Sequence, residues 1–219
     1  MGRDFWQGFW RGLAQGAALF LALLLAFVVV WLLLLPAPAH AQVPAAAHQH
    51  RAELVRAAHS QWGLHAPIAA LAAQVHQESG WRADAVSRVG AQGMAQFMPG
   101  TARWWCDLHQ LSAADCQPRN PRWALRALVG YDKWLYDRTP ARYTERERLH
   151  VALRAYNGGL GHWQAEAAST GLAQPTVAQV NAACGQARRH RTHCAENLGY
   201  PQRILTVLQP RYSGWGAVW

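Results

Sequence analysis

Pro67-Ile68-Ala69-Ala70-Leu71-Ala72-Ala73-Gln74-Val75-His76-Gln77-Glu78-Ser79-Gly80-Trp81 reads as an amphipathic helix with a charge in an unexpected place. Ile68, Leu71, Val75 and Glu78 fall at i, i+3, i+7 and i+10, along one helical face. Pro67 suits the opening of that helix and Gly80 its end. The last member of the apolar stripe is therefore a carboxylate. Burial disfavours the ionised form, so a carboxyl there has a raised pKa and donates a proton near neutrality. The other eleven acids read as lying in loops or on polar helix faces, so Glu78 stands apart, although by this pattern alone a Glu near a helix end is more often a solvated or structural residue than an active-site acid.

Outward from this helix the chain keeps a helical period. Ala124, Leu128, Tyr131 and Leu135 are in register over Pro121 to Arg138. Thr144 and Glu147 have the spacing of a capping box, opening a helix with Leu149, Leu153 and Tyr156 on one face before Asn157-Gly158-Gly159 stops it. Further helices are expected at about Arg51 to Trp62, Thr176 to Ala183 and Pro201 to Leu208. There is no convincing run of alternating strand and no internal repeat. With 51% apolar and 15% charged residues and 12 tryptophans, the composition is that of a packed domain rather than a disordered polymer. The expected fold class is mainly α with long loops.

The N-terminus sets the compartment. Ala17 to Leu35 carries no polar side chain, follows Arg3 and Arg11, and is followed by Pro36-Ala37-Pro38-Ala39-His40-Ala41, whose Ala39-His40-Ala41 has the form of a signal-peptidase site. The run is longer than a usual signal core and approaches the roughly 20 residues of a membrane span. Residues 1–41 are thus a signal peptide or a signal anchor in the inner membrane, and either places the remainder in the periplasm or cell envelope. Residues 42–50, rich in Ala, Pro, His and Gln, read as a linker, with His48 and His50 solvated rather than metal-bound. Of the 21 basic residues only Lys133 is not arginine, and the net charge is +9. The arginines are scattered and no nucleic-acid motif spacing is present, so the anionic cell wall or membrane is the better partner and nucleic acid is not expected.

Cys106, Cys116, Cys184 and Cys194 form two equally spaced pairs. An even count in an exported chain points to disulfides. Three connectivities are possible, and the local pairing, Cys106 with Cys116 and Cys184 with Cys194, is the simplest. A zinc site helped by His190 and His193 is the rival, and the spacings match no structural zinc pattern.

Three stretches carry a resemblance. Glu78-Ser79-Gly80-Trp81 with Ser87-Arg88-Val89-Gly90-Ala91-Gln92-Gly93-Met94-Ala95-Gln96-Phe97-Met98-Pro99-Gly100-Thr101-Ala102, then Ala155-Tyr156-Asn157-Gly158-Gly159, then Glu196-x-x-x-Tyr200 leading into Arg203-Ile204-Leu205, resemble in order the motifs of the soluble-type (SLT) lytic murein transglycosylases of the lysozyme-like superfamily. The family's usual Gly-Leu-Met-Gln is here Gly93-Met94-Ala95-Gln96, and its frequent Asn-Pro after the aromatic is Arg82-Ala83. Neither departure removes a catalytic group. The resemblance implies a lysozyme-like helical catalytic domain over residues 51–210, with 211–219 a tail of unknown role.

It also implies an activity on peptidoglycan glycan strands, without a cofactor. A single Glu, here Glu78, protonates the glycosidic oxygen and then takes the proton of the muramoyl 6-hydroxyl, leaving a 1,6-anhydro end. Tyr200 matches the tyrosine that hydrogen-bonds that Glu, and Ser87, Gln96, Met98, Tyr156 and Asn157 match groove positions. Gly90, Gly93, Gly158 and Gly159 are read as turn residues. Trp81, Trp104, Trp105 and Trp163 are core residues or sugar platforms. Two alternatives stand beside this: a goose-lysozyme-type hydrolase, for which Asp84 is the near carboxylate in sequence, and a wall-binding protein without activity.

Overall fold

The computed structural model describes residues 43–219 and, ahead of them, Gly2, Leu24, Leu25, Phe27 and Trp31. The signal or anchor expected over residues 1–41 lies outside the described residues. Among those described, no helix is long and apolar enough to cross a membrane.

The described chain is helical, with α1 (Ala45–Trp62), α2 (Ile68–Ser79), α3 (Pro99–Leu108), α4 (Pro121–Asp137), α5 (Glu145–Gly158), α6 (Leu160–Ser169), α7 (Val177–Ala182) and α8 (Cys194–Gln202). A π-helical turn, Arg203–Leu208, and a 3-10 segment, Gln209–Trp215, complete it. Extended pairing among the described residues is confined to the bridges Val86 to Gln92 and Gln92 to Phe97.

Helix α2 is the centre. Nine of its twelve residues are buried, on all sides, so α2 is a core helix rather than a surface one. Ala69, Ala70, Ala72 and Ala73 let α1, the π turn and the C-terminal 3-10 segment approach closely. Gly80, in the left-handed region at φ 61°, ends it. Helix α4 packs on α1 and α5, and α5 on α6 and α8. The capping box at Thr144 and Glu147 is formed, and Gly159 at φ 86° closes α5. A second capping box, at Thr176 and Gln179, starts α7.

Several expectations need correction. Residues 45–50, read as linker, are the first turns of α1. Their alanines favour helix, Ala47 is fully buried, and His48 sets its ring edge-on to Trp215 at 6.0 Å. The tail from 211 belongs to the core. Tyr212 is fully buried, and its hydroxyl accepts from Trp81 Nε1 at 2.8 Å and pairs with His76 Nδ1 at 2.9 Å. Trp219 packs on Trp62 and Tyr136. Helices α3 and α6 are additional to the helices expected from the sequence; each is short and has a poor helix former, Gly100 or Gly161, at its second position. The C-terminal helix starts at Cys194 rather than Pro201, with Pro201 inside it and the π turn following.

Both local disulfides are formed, Cys106–Cys116 and Cys184–Cys194, which occupies every cysteine sulfur. The first steadies the segment whose Pro118 backbone lies where a Cβ on Gly93 would fall. The second closes the loop that carries Arg188, Arg189 and Arg191.

Candidate active site

The burial of α2 relaxes at its C-terminal end, where His76, Gln77 and Glu78 are part-exposed. Tyr200, buried in α8, donates its hydroxyl to Oε1 of Glu78. Burial pushes the Glu78 carboxyl up to about 7; the Tyr200 hydrogen bond lowers it and the charge of Glu196 raises it. A carboxyl raised this far keeps more of its protonated form at neutral pH than an ordinary glutamate does, which is the condition a proton donor needs.

A cleft of about 270 Å³ brings Glu78 together with Ser87, Gln96, Met98, Tyr156 and Asn157. Tyr200 does not line it and meets it through Glu78. The loop between α2 and α3 supplies one wall, and its polar residues partly hold that wall in shape. Ser87 Oγ accepts from the Ala91 N–H at 3.0 Å. Gln96, at φ 49°, is a non-glycine residue in the left-handed region; its amide donates to Gly93 O at 2.9 Å and Ala85 O at 3.3 Å. Gly90 and Gly93 take positive φ in the same loop. From the other wall, the Tyr156 hydroxyl donates to Ala95 O at 2.7 Å, tying α5 to the loop. Met98, exposed just before α3, presents its apolar side chain to the cleft.

Asn157 is oriented from below. Asn197 donates to Asn157 Oδ1 at 3.0 Å and to Arg154 O at 2.8 Å, while Asn157 Nδ2 donates to Glu196 Oε1 at 3.3 Å. Gly158, read as a turn residue, has ordinary helical φ; it is bare because a Cβ there would overlap Arg189 and Asn197. Trp81, Trp105 and Trp163 are core residues, and Trp104 is exposed beside Tyr131 and Trp134.

The family described as Transglycosylase SLT domain matches residues 53–177. The chain belongs to the transglycosylase SLT domain family. The match takes in Glu78, the cleft loop and α5, and stops short of α8 with Glu196 and Tyr200. Membrane-bound lytic murein transglycosylase F of Alteromonas mediterranea is 36% identical over 93 residues, 42% of this chain and 18% of that protein. Its namesake in Pasteurella multocida is 37% identical over 92 residues, 42% of this chain and 17% of that protein. The SLT domain chain therefore aligns with less than a fifth of either relative. In fold it is similar to an inactive mutant of lytic transglycosylase Slt from Pseudomonas aeruginosa, with a TM-score of 0.55, 24% identity, and 77% of this chain and 25% of that one covered. It is similar also to the 70 kDa soluble lytic transglycosylase of Escherichia coli, with a TM-score of 0.54, 20% identity, and coverage of 76% and 24%.

Carboxylates in this SLT domain are placed differently from the sequence reading. Asp84 is exposed and is not among the residues lining the cleft. Glu196 does line it. Asp132 and Glu166, read as sitting on polar surfaces, are fully buried. Asp132 on α4 accepts from Gln74 Nε2 at 3.3 Å, and burial holds its carboxyl well above the usual carboxylate range. Asp132 Oδ2 and Gln74 Oε1 are both buried acceptors with no donor among the described residues. One proton on Asp132 supplies a donor, which favours the neutral acid. Glu166 instead lies between two arginines, accepting from Arg154 Nη2 at 2.6 Å and Arg189 Nε at 2.7 Å. The sign of Asp132 was in the sequence: it lies four residues after Leu128 and four before Tyr136, both buried.

Proposed function

We propose that this SLT domain is a peptidoglycan lytic transglycosylase that cuts the β-1,4 bond between N-acetylmuramic acid and N-acetylglucosamine. The supporting observation is Glu78, set in the cleft with its carboxyl raised to about 7 by burial and held by the Tyr200 hydroxyl. The relatives' name, lytic murein transglycosylase, agrees with this reading.

In the proposed reaction Glu78, protonated, gives its proton to the glycosidic oxygen, which leaves with N-acetylglucosamine. The 6-hydroxyl of the same muramoyl residue bonds to its anomeric carbon, and the proton lost by that hydroxyl returns to Glu78. No water is consumed, and the muramoyl end becomes a 1,6-anhydro sugar. The substrate's acetamido group stabilises the positive charge at the anomeric carbon, so a second enzyme carboxylate is not required. Tyr200 orients the Glu78 carboxyl in both steps. Ser87, Gln96, Tyr156 and Asn157 contact sugar hydroxyl and acetamido groups with the polar capacity their internal hydrogen bonds leave over, and Met98 contacts a sugar face. The disulfides and the apolar run at Ala17 to Leu35 support an exported enzyme of the cell envelope.

Replacing Glu78 with Gln removes the proton donor, and murein cleavage is expected to fall by about 100-fold or more with the fold intact. Cleavage within twofold of the unaltered protein would refute the role of Glu78. A second reading is favoured by Glu196, a carboxylate on the cleft that a hydrolase could use to activate water. The chemical form of the muramoyl ends separates the two.

A further inference from the structure

Asn157 and Glu196 both line the cleft, and each end of the Asn157 side-chain amide has a partner. Its oxygen accepts from Asn197, a residue 1% exposed, and its nitrogen donates to Glu196, which is exposed. The donor end of Asn157 is thus held on the solvent side, beside the acid that shares the cleft. An amide turned end for end fills the same space but offers an acceptor where the donor stood. Which way round Asn157 stands therefore decides what it can bind.

The direction is imposed from Arg154, fully buried in α5. A guanidinium only donates and a backbone carbonyl only accepts. Arg154 Nε donates to Asn197 Oδ1 at 3.0 Å, and Arg154 O accepts from Asn197 Nδ2 at 2.8 Å. Those two contacts leave the Asn197 amide a single orientation, in which its second N–H goes to Asn157, with the nitrogen 3.0 Å from Asn157 Oδ1. Asn157 must answer with its oxygen, which turns its nitrogen toward Glu196. Arg154 is itself fixed at both terminal nitrogens, Nη1 by Asn181 Oδ1 at 2.8 Å and Nη2 by Glu166 Oε2 at 2.6 Å. Every link from Glu166 to Glu196 has a defined donor and a defined acceptor.

Two features single out the donor nitrogen of Asn197. The Glu166 carboxyl serves both Arg154 and Arg189, so an aspartate at position 197 would give this pair of guanidiniums a second carboxyl. It would still accept from Arg154 Nε, yet it could donate neither to Arg154 O nor to Asn157 Oδ1. Gly158 makes room for the same nitrogen, since a Cβ there would lie 2.5 Å from Asn197 Nδ2.

We propose that Asn197, aligned by Arg154, is a positioning residue that fixes the Asn157 amide with its donor toward the cleft, ready for a hydrogen-bond acceptor of the sugar chain. Its role rests on the glycan-binding cleft proposed above and adds the direction of one contact there. Asn197 is not among the residues lining the cleft and acts through Asn157.

NMR titration of the Glu78→Gln protein with chito-tetraose tests this, because binding is then read without cleavage. Asn197→Asp keeps the shape of the side chain and the acceptor for Arg154 Nε, and reverses the demand on Asn157. At pH 7 the affinity is expected to fall about tenfold, as a donor is lost and an acceptor is left facing the sugar's own acceptor. In an Asn157→Ala background the same substitution is expected to change affinity by less than about twofold, because the residue that carries the effect is gone. An equal fall with and without Asn157 would make Asn197 a brace between α5 and α8 only; that result, or no fall in either background, overturns the proposal. Should Asn197→Asp not fold, as judged by its melting curve, Asn197→Ala releases the Asn157 amide. A smaller fall, again absent without Asn157, is then expected, and the same two results overturn the proposal. Chito-tetraose binding with no murein cleavage by the unaltered protein would sink the proposed reaction and leave the role of Asn197 standing, whereas no chito-tetraose binding to the Glu78→Gln protein overturns that role.

Discussion

At Glu78 the burial that arms the carboxyl also destabilises the fold. A carboxyl whose pKa rises from 4.5 unfolded to about 7 folded holds its proton more tightly in the native state. Between those values stability must fall as pH rises. Glu78→Gln is therefore expected to melt above the unaltered protein at pH 8 and to lose most of that advantage at pH 5; thermal scans at the two pH values check it, and an equal advantage at both would contradict it. Asp132 has the same sign, so Asp132→Asn should gain in melting temperature towards alkaline pH. Tyr200→Phe removes the donor that lowers the Glu78 pKa, and the alkaline limb of the kcat/KM profile is expected to move to higher pH; an unmoved limb would detach Tyr200 from Glu78. Glu78 was legible in the sequence because α2 has a clean apolar stripe. Asp132 carries the same signal less plainly, because the α4 stripe of Ala124, Leu128, Tyr131 and Leu135 is one edge of a broader buried seam that includes Leu125, Val129 and Asp132.

Elements with local signals were legible: the Gly80 end of α2, the capping box of α5, the N-terminal proline of α4. Helices α3 and α6 were not, because their formation depends on what they pack against; Trp105 and Trp163 are buried by neighbours distant in sequence. Long-range packing also explains Gly158, whose reason lies in Arg189 and Asn197. Gly158→Ala should destabilise the domain by about 1–3 kcal/mol through overpacking, read from the urea midpoint. A midpoint unchanged from the unaltered protein would mean that the α5–α8 contact is loose. Replacing Cys184 and Cys194 with Ser should cost about 2–4 kcal/mol by freeing the arginine loop, and a smaller effect would mean that the Arg189–Glu166 contact alone holds it.

Over the whole molecule, the C-terminal residues that carried no pattern in sequence complete the core beneath α2. Trp81 and His76 meet Tyr212 across more than 130 residues of sequence, and Trp215 packs at a tilt against Trp81 and under Arg51. No local rule couples positions so far apart, which is why residues 211–219 read only as a tail of unknown role. Tyr212→Phe leaves the Trp81 N–H buried without an acceptor and should cost about 1–3 kcal/mol in equilibrium unfolding; no loss would show that this hydroxyl is dispensable. The scattered arginines acquire a division of labour: some balance Glu53 on the surface, and Arg154 and Arg189 build the buried charge beside the cleft. The central claim is that Glu78 directs attack by the substrate's own hydroxyl rather than by water. Mass spectrometry of the muramoyl ends released from purified murein tests it most directly: 1,6-anhydro ends, lighter by one water than reducing ends, are predicted, and reducing muramic acid ends would contradict it.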